Sequence, residues 1–586
     1  MKKFIIQVLA TIVGIILLTS IGVFSLIVIN IIAFIPSKPV VKDNSILEIN
    51  LNNPIIESPN DGIDIFFIDN ENHISLKEIL DLIKYAKNDD KIKGISLKLS
   101  NLNAGYSQIS EIRQALIDFK QSNKFIYSYS NDCDQKAYYL SSISDSLFLN
   151  PNASLELTGL SAEVLFYKNL GQKYGIGFEV IRHGKYKSAV EPYLRENLSK
   201  ENKIQLNELL QNYWHKISND IISSRKITTE NFNECVDSLY SFIPELALRY
   251  KLVDRLINES EYDNIIKKKL GFNDDENINK ISPYQYNKTI KNDSKSNNKI
   301  AILYATGQIY TGIGDTEIHS KTFIDNINEI KNDDNIKAVV LRINSPGGSA
   351  NASAEILYEL LELKKKKPII VSFSNIAASG GYYISMAGDK IYAQENTLTG
   401  SIGVLGMIPD IKKLANNVGI TTDYVATNAN SLYYSLMEGT SEGFRDIMGK
   451  GVEITYKKFV NVVMKGRNMS FSQVDSLGGG RIWSGKDAVR HGLVDEIGNF
   501  NDAINYAAKK ANLSKYNLLT YPKPKSEWDL FLSIIKPDNE ETSVRIKDRF
   551  LKYELGNDNY KLLQKLKNID SGQEIKCLMP FEIEIR

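Results

Sequence analysis

The chain is written twice. The stretch "NDDKIKGISLKL" (Asn88 to Leu99) returns as "NDDNIKAVVLRI" (Asn332 to Ile343), and "AYYLSSISD" (Ala137 to Asp145) returns as "GYYISMAGD" (Gly381 to Asp389), both at an offset of 244 residues. The same offset carries "NLGQKYGI" (Asn169 to Ile176) onto "KLANNVGI" (Lys413 to Ile420), and a small shift brings "ELALRYKLVDRL" (Glu245 to Leu256) onto "KDAVRHGLVDEI" (Lys486 to Ile497). Even the openings agree, since "SILEINLNNPIIES" from Ser45 and "KIAILYATGQIYTG" from Lys299 both read as a strand leading to a polar turn. Agreement in several places in the same order implies two homologous halves, residues 45–285 and 299–510. The polar stretch around "NKTIKNDSKSNNK" makes residues 286–298 a linker. Residues 511–586 form a tail with "YPKPKSEWD" and an alternating end, "FEIEIR", to which the sequence assigns no role.

Within each half the hydrophobic period switches back and forth. "IKAVVLRI" is a short β-branched run, "SAEILYELLELKKKK" has helical spacing, "PIIVSF" is a strand again, "SGGYYISMAG" opens a helix and "DKIYAQ" is another short strand. Such alternation predicts an α/β fold with a largely parallel sheet and right-handed crossovers.

Ahead of the halves, Phe4 to Ile35 contains no charged residue. This exceeds the roughly 20 apolar residues that cross a bilayer. It is also longer than the apolar region of about 7 to 15 residues in a cleaved signal peptide, and "FIPSKP" offers no small-residue cleavage site. Residues 1–40 therefore read as a retained signal anchor, spanning at about 4–35. Lys2 and Lys3 precede it and Lys38 and Lys42 follow, a slight positive-inside bias that places the remainder on the outer side, the periplasm of a double-membrane bacterium. The 71 basic and 70 acidic side chains leave a net charge of +1, which argues against a nucleic-acid partner. Three cysteines (Cys133, Cys235, Cys577) and five histidines (His73, His183, His215, His319, His491) form no CxxC or HExxH, so no disulfide framework, metal or cofactor is expected.

In "SNIAASGGYY", Ser379 follows a buried strand and opens a helix, so its hydroxyl could stand clear at the sheet edge. Gly380 and Gly381 let the backbone turn and a substrate approach. On this stretch alone Ser379 is either a nucleophile or a helix cap. Upstream, "RINSPGGSANASAE" sets a Gly-Gly turn at a strand end, where successive N–H groups suit an oxyanion hole. Gly347 or Gly348 with Gly380 would supply it, unless the turn is only a turn. No histidine stands in an obvious relation to Ser379. The differences between the halves are more telling, for the position equivalent to Ser379 is Gln135 and "SPGGS" becomes "NLNAG". Conversely, Lys187 in "HGKYKSAVEPYLREN" corresponds to Ser431. One half keeps a serine and the other a lysine, which suggests a single composite site, shared within a chain or between subunits; by itself Lys187 would pass for an exposed lysine beside Glu191.

The motifs "YKSAVEPY", "INSPGGSA", "AASGGYY" and "TLTGSIGV" closely resemble the signal peptide peptidase A (protease IV) family in its long, duplicated, membrane-anchored form. The likeness runs over nearly the whole chain to the ending "MPFEIEI". It implies two tandem ClpP/crotonase-like domains, each a spiral of ββα units, behind one transmembrane helix, with Ser379 as nucleophile and Lys187 as general base. It further implies a homotetramer in the bacterial inner membrane that degrades cleaved signal peptides and other hydrophobic peptides on the periplasmic side. A lysine of ordinary pKa, about 10.4, is protonated at neutral pH, so such a site must favour the neutral amine through burial. A neutral partner must orient it, and the hydroxyl of Ser401 in "TGSIG" is the candidate. The competing readings are a crotonase-like acyl-CoA enzyme, which would use paired carboxylates, and a non-catalytic membrane scaffold.

Overall fold

The computed structural model describes residues 39–59, 74–273, 275–290, 296–523 and 576–578, with a few isolated positions elsewhere. The apolar run expected to anchor the chain lies outside these residues apart from four single positions; among the described residues no helix is long and apolar enough to cross a membrane.

In the first half, strands β1 (Ser45–Ile49), β2 (Ile92–Lys98), β3 (Phe125–Ser130) and β4 (Ser146–Leu149) are joined through helices. A long excursion then carries β5 (Gly177–His183) away before β6 (Arg255–Leu256) and β7 (Asn279–Ile281) return. The sheet order is β6-β4-β3-β2-β1-β7, parallel throughout. Its crossover helices start where the sequence supplies caps, as at Ser75, which exchanges hydrogen bonds with Glu78 to begin Leu76–Asn88.

The second half builds the same sheet again. Its strands are β8 (Lys299–Thr306), the short β9 (Ile309–Tyr310) and β10 (Ile318–His319), then β11 (Ile336–Ser345), β12 (Gly347–Ser349), β13 (Ile369–Ala378), β14 (Lys390–Ala393), β15 (Leu398–Gly400) and β16 (Val404–Asp410). A small hairpin, β17 (Tyr434–Ser435) with β18 (Gly439–Thr440), precedes β19 (Ile482–Ser484), β20 (Glu496–Ile497), β21 (Asn517–Tyr521) and the terminal β22 (Lys576–Leu578). The parallel run β20-β14-β13-β11-β8-β21 repeats the first half's order strand for strand. The far end of β13 gives up β14 and pairs with β15, which in turn holds β19 antiparallel.

Alternation along β8 and β11 shows how the halves are glued. Ile300, Ile302, Tyr304, Ala338 and Val340 join a core continuous with the first half, whereas Ala301, Leu303, Val339, Leu341 and Ile343 face a second core under the helices Ser320–Asn332 and Ala350–Lys364. A strand buried on both faces reads as an unbroken apolar run, as "IKAVVLRI" does. Lys337 near its start is exposed, and one buried charge interrupts it. Arg342 is buried and bonds Glu57 (2.9 Å) and Glu111 (2.8 Å), both from the first half. Burial alone would lower the guanidinium's pKa, but Glu111 and then Glu57 outweigh it and hold it above its ordinary value.

A third sheet crosses between the halves, in the order β10-β9-β12-β22-β16-β5. Its longest ladder pairs β16 antiparallel with β5, from Val404 opposite His183 to Asp410 opposite Gly177.

Candidate active site

Ser379 stands at the junction of β13 and the helix Gly380–Ser385, with φ of 55° and ψ of −115°. A positive φ is rare for a residue with a side chain. Two hydrogen bonds hold the strained peptide: its N–H donates to the Gly400 carbonyl (2.8 Å), and its carbonyl accepts from Tyr383 N–H (2.8 Å). It occupies the N-cap position yet its side chain makes no capping bond, so the cap reading does not hold. The hydroxyl points instead to Lys187, whose Nζ lies 2.9 Å from Oγ.

Two strand pairings bring these groups together. Ala378 is in register with Gly400, so Ser379 and Ser401, the residues that follow them, are neighbours where the strands end. The β5–β16 ladder sets His183 opposite Val404, which aims the loop after β5 at the loop before β16. Lys187 therefore reaches the second half within one chain. Its Nζ also contacts Ser401 Oγ (3.0 Å) and the Ser401 carbonyl (3.1 Å), and all three residues are fully buried. Ser401, too, has a positive φ, 51°.

The oxyanion candidates converge on the same point. A Cβ on Gly380 would lie 2.7 Å from Ser353 Oγ, 3.1 Å from Gly347 Cα and 3.2 Å from Gly348 N, so the two turns touch through their backbones. Gly347 N–H is already donated to Ser345 Oγ (3.2 Å), which leaves Gly348 and Gly380 as the better placed pair. Gly348 itself sits where any Cβ would strike the Ile309 carbonyl.

Sequence reasoning missed the residues that seat the lysine. Gly480 has φ of 84°, and a Cβ there would fall 2.5 Å from Lys187 N and 2.6 Å from its Cα. Tyr186 N–H donates to the Gly479 carbonyl (3.0 Å), Gly480 N–H to the Ile402 carbonyl (2.8 Å), and Arg182 Nη1 to the Lys187 carbonyl (2.9 Å). The triplet Gly478–Gly480 was a visible signal, but nothing in it named the loop it would meet. Glu191 is no surface partner of Lys187: it is buried and accepts from Ser199 N–H (3.2 Å) and Asn202 Nδ2 (3.1 Å). His183 is engaged with Glu453 (2.6 Å) and stacks on Tyr456. Among the described residues no cluster of His, Cys, Asp and Glu could hold a metal.

The sequence pattern of "Peptidase family S49" matches twice, at residues 118–272 and 362–514, with starts 244 residues apart. The chain belongs to peptidase family S49. Relatives of this S49 chain include "Protease 4" of Salmonella typhi, 33% identical over 473 residues, covering 78% of this chain and 75% of that protein. "Serine protease SPPA, chloroplastic" of Arabidopsis thaliana is 31% identical over 78% of this chain and 70% of its own length. "Putative signal peptide peptidase SppA" of Enterococcus faecium is 39% identical over 39% of this chain and 67% of its own. The S49 chain is thus a serine peptidase built from two family domains, and both the acyl-CoA enzyme and the inert scaffold are set aside.

Proposed function

We propose that this S49 peptidase is a membrane-anchored endopeptidase with a Ser379–Lys187 dyad that degrades hydrophobic peptides, cleaved signal peptides among them, through an acyl-enzyme. The observation that carries the reading is the 2.9 Å contact between Lys187 Nζ and Ser379 Oγ. In this scheme the half at 45–285 supplies the base and the half at 299–510 the nucleophile, each half a ClpP/crotonase-like spiral.

Burial disfavours a charged ammonium, and a neutral amine is what a lysine base requires. Lys187 takes the Ser379 proton as Oγ attacks the scissile carbonyl carbon. The carbonyl oxygen gathers negative charge and is met by the N–H groups of Gly348 and Gly380. The tetrahedral intermediate collapses when Lys187 returns the proton to the leaving amine, giving an ester on Ser379. Water then attacks that ester, Lys187 accepts its proton and gives it back to Oγ, and the acid leaves. Ser401 Oγ and carbonyl, both within hydrogen-bond reach of Nζ, orient the amine. An apolar peptide would bind extended, by strand addition near Ser379. Insertion through residues 4–35 in a bacterial inner membrane, with the catalytic part periplasmic, and assembly as a homotetramer belong to the same reading; protease protection in spheroplasts and light scattering check them.

The deciding experiment is hydrolysis of a leucine-rich fluorogenic peptide by the detergent-solubilised protein and by Ser379→Ala and Lys187→Ala, each checked for folding and particle size. Both substitutions should lower turnover by about 10⁴-fold or more. An active Lys187→Ala protein would move the base elsewhere and sink the dyad.

A further inference from the structure

The loop that carries Lys187 is held by a side chain from another element of the first half. Gln205 lies near the start of the helix Lys200–Arg225, which begins at Ser199, whose Oγ accepts from Asn202 N–H (3.1 Å). The residue is buried. Its Nε2 faces the Tyr186 carbonyl (3.3 Å), Ser188 Oγ (3.1 Å) and Asn202 Oδ1 (2.9 Å), so the amide hydrogens serve the residues on either side of Lys187. Its Oε1 accepts from Ile482 N–H (3.3 Å), which belongs to the second half. Ile482 pairs with Gly400, and the Gly400 carbonyl is the acceptor of Ser379 N–H (2.8 Å). A single amide therefore ties the loop of Lys187 to the strand pair that anchors Ser379. Asn202 in turn donates from Nδ2 to the buried Glu191 (3.1 Å), which holds the neighbour of Gln205 in place.

We propose that Gln205 is a positioning residue for peptide hydrolysis, one that sets where Lys187 Nζ stands relative to Ser379 Oγ by joining the lysine loop to the strand pair beside the serine. The inference rests on reading Lys187 as the base. The place asks for an amide, because one end group must donate to the Tyr186 carbonyl and Ser188 hydroxyl and accept from the Ile482 N–H. An ionised glutamate would turn a lone pair toward the Tyr186 carbonyl, and a methionine of similar length would bond to neither side. The lysine side chain is a flexible four-carbon stem, so its tip is only as well placed as its root. Gly480 admits the backbone of Lys187 by lacking a side chain, and Gln205 holds that backbone by bonds on both flanks. Neither reacting atom is among its hydrogen-bond partners, so Gln205 acts through Lys187 and not on the peptide.

The test is steady-state hydrolysis of a leucine-rich fluorogenic peptide by the detergent-solubilised full chain and four variants, each with a melting curve and a particle size. Gln205→Met should lower kcat by about 10- to 100-fold, the scale of a catalytic group misplaced by roughly 1 Å, with KM within about twofold of wild type. Ser188→Ala removes one acceptor and leaves the others, so it should lower kcat by about threefold. Asn212→Ala is the control for a purely structural loss. Asn212, seven residues further along the same helix, donates across the same seam to Ser484 Oγ (3.2 Å) and to Asp487, and these bonds do not reach residues 186–188. Its variant should melt at a lower temperature with kcat unchanged. Wild-type kcat in both Gln205→Met and Ser188→Ala, or in Ser188→Ala alone where the methionine variant does not assemble, overturns the proposal. So does a kcat loss in Asn212→Ala as large as that in Gln205→Met, or a Gln205→Met defect confined to KM. Lys187→Ala separates this proposal from the dyad. If it is inactive while Gln205→Met turns over like wild type, only the positioning role falls; if it is as active as wild type, the assignment of the base falls with it.

Discussion

Ser379 and Ser401 each hold a positive φ, a conformation that costs a residue with a side chain about 1–3 kcal/mol and that only the surrounding ladder enforces. Both hydroxyls are thereby fixed on one buried amine. Ser401→Ala removes one of the two contacts by which Ser401 orients Lys187, and is expected to lower kcat by about 10²-fold while leaving KM and thermal stability near wild type; steady-state kinetics with a melting curve check this. Gly480→Ala should be more damaging, because the new Cβ meets Lys187 backbone at 2.5 Å with φ at 84°, so neither partner yields by moving a flexible side chain. Peptide turnover should fall to background in a protein that still folds. At this scale legibility was uneven. Ser379 was singled out by small neighbours at a strand end, and Lys187 by the mismatch between halves together with the family resemblance of "YKSAVEPY". Gly480 was not readable as the seat of Lys187, because what it touches lies in the other half and local sequence carries no record of that contact.

Among the elements, β5 decides whether the site exists. It leaves its own sheet, runs along β16 and delivers Lys187 four residues after its last ladder pair. Inserting one alanine between Val180 and Ile181 shifts the register and turns the side chains beyond it to the opposite face. Activity should drop by at least about 10²-fold with the circular dichroism spectrum unchanged, and an undiminished rate would show that the lysine loop is positioned by other means. β11 offers a matching test of the core. Arg342→Met leaves Glu57 and Glu111 buried without their counter-charge, and breaking such a pair costs about 3–5 kcal/mol, to be read as a lower urea midpoint. The strand itself was plain from "IKAVVLRI", but the charge within it gave no hint that its partners were Glu57 and Glu111, again because the contact crosses between halves.

For the molecule as a whole, the repeat foretold two α/β halves with parallel sheets, and the sheet orders agree strand for strand. The third sheet was not foretold: its short strands β9, β10 and β12 are two or three residues long, too brief to show a period, and β22 closes it from the far end of the chain. The halves share a core, an ion cluster and a ladder, so a covalent link between them should be dispensable once folding is complete. A cleavable sequence placed within residues 291–295 and cut after purification should leave a particle of unchanged size and activity; separation of the fragments would show that the link is needed. The crossing of β5 to β16 also sets a clock on synthesis. Lys187, the proposed base, is made early and must wait for Ser379, for the strand β16 that receives it and, about seventy residues further on, for the Gly480 loop that seats it. A chain emerging from the ribosome folds amino-terminal parts first, so the nascent enzyme stays harmless to its neighbours until most of its length has been translated.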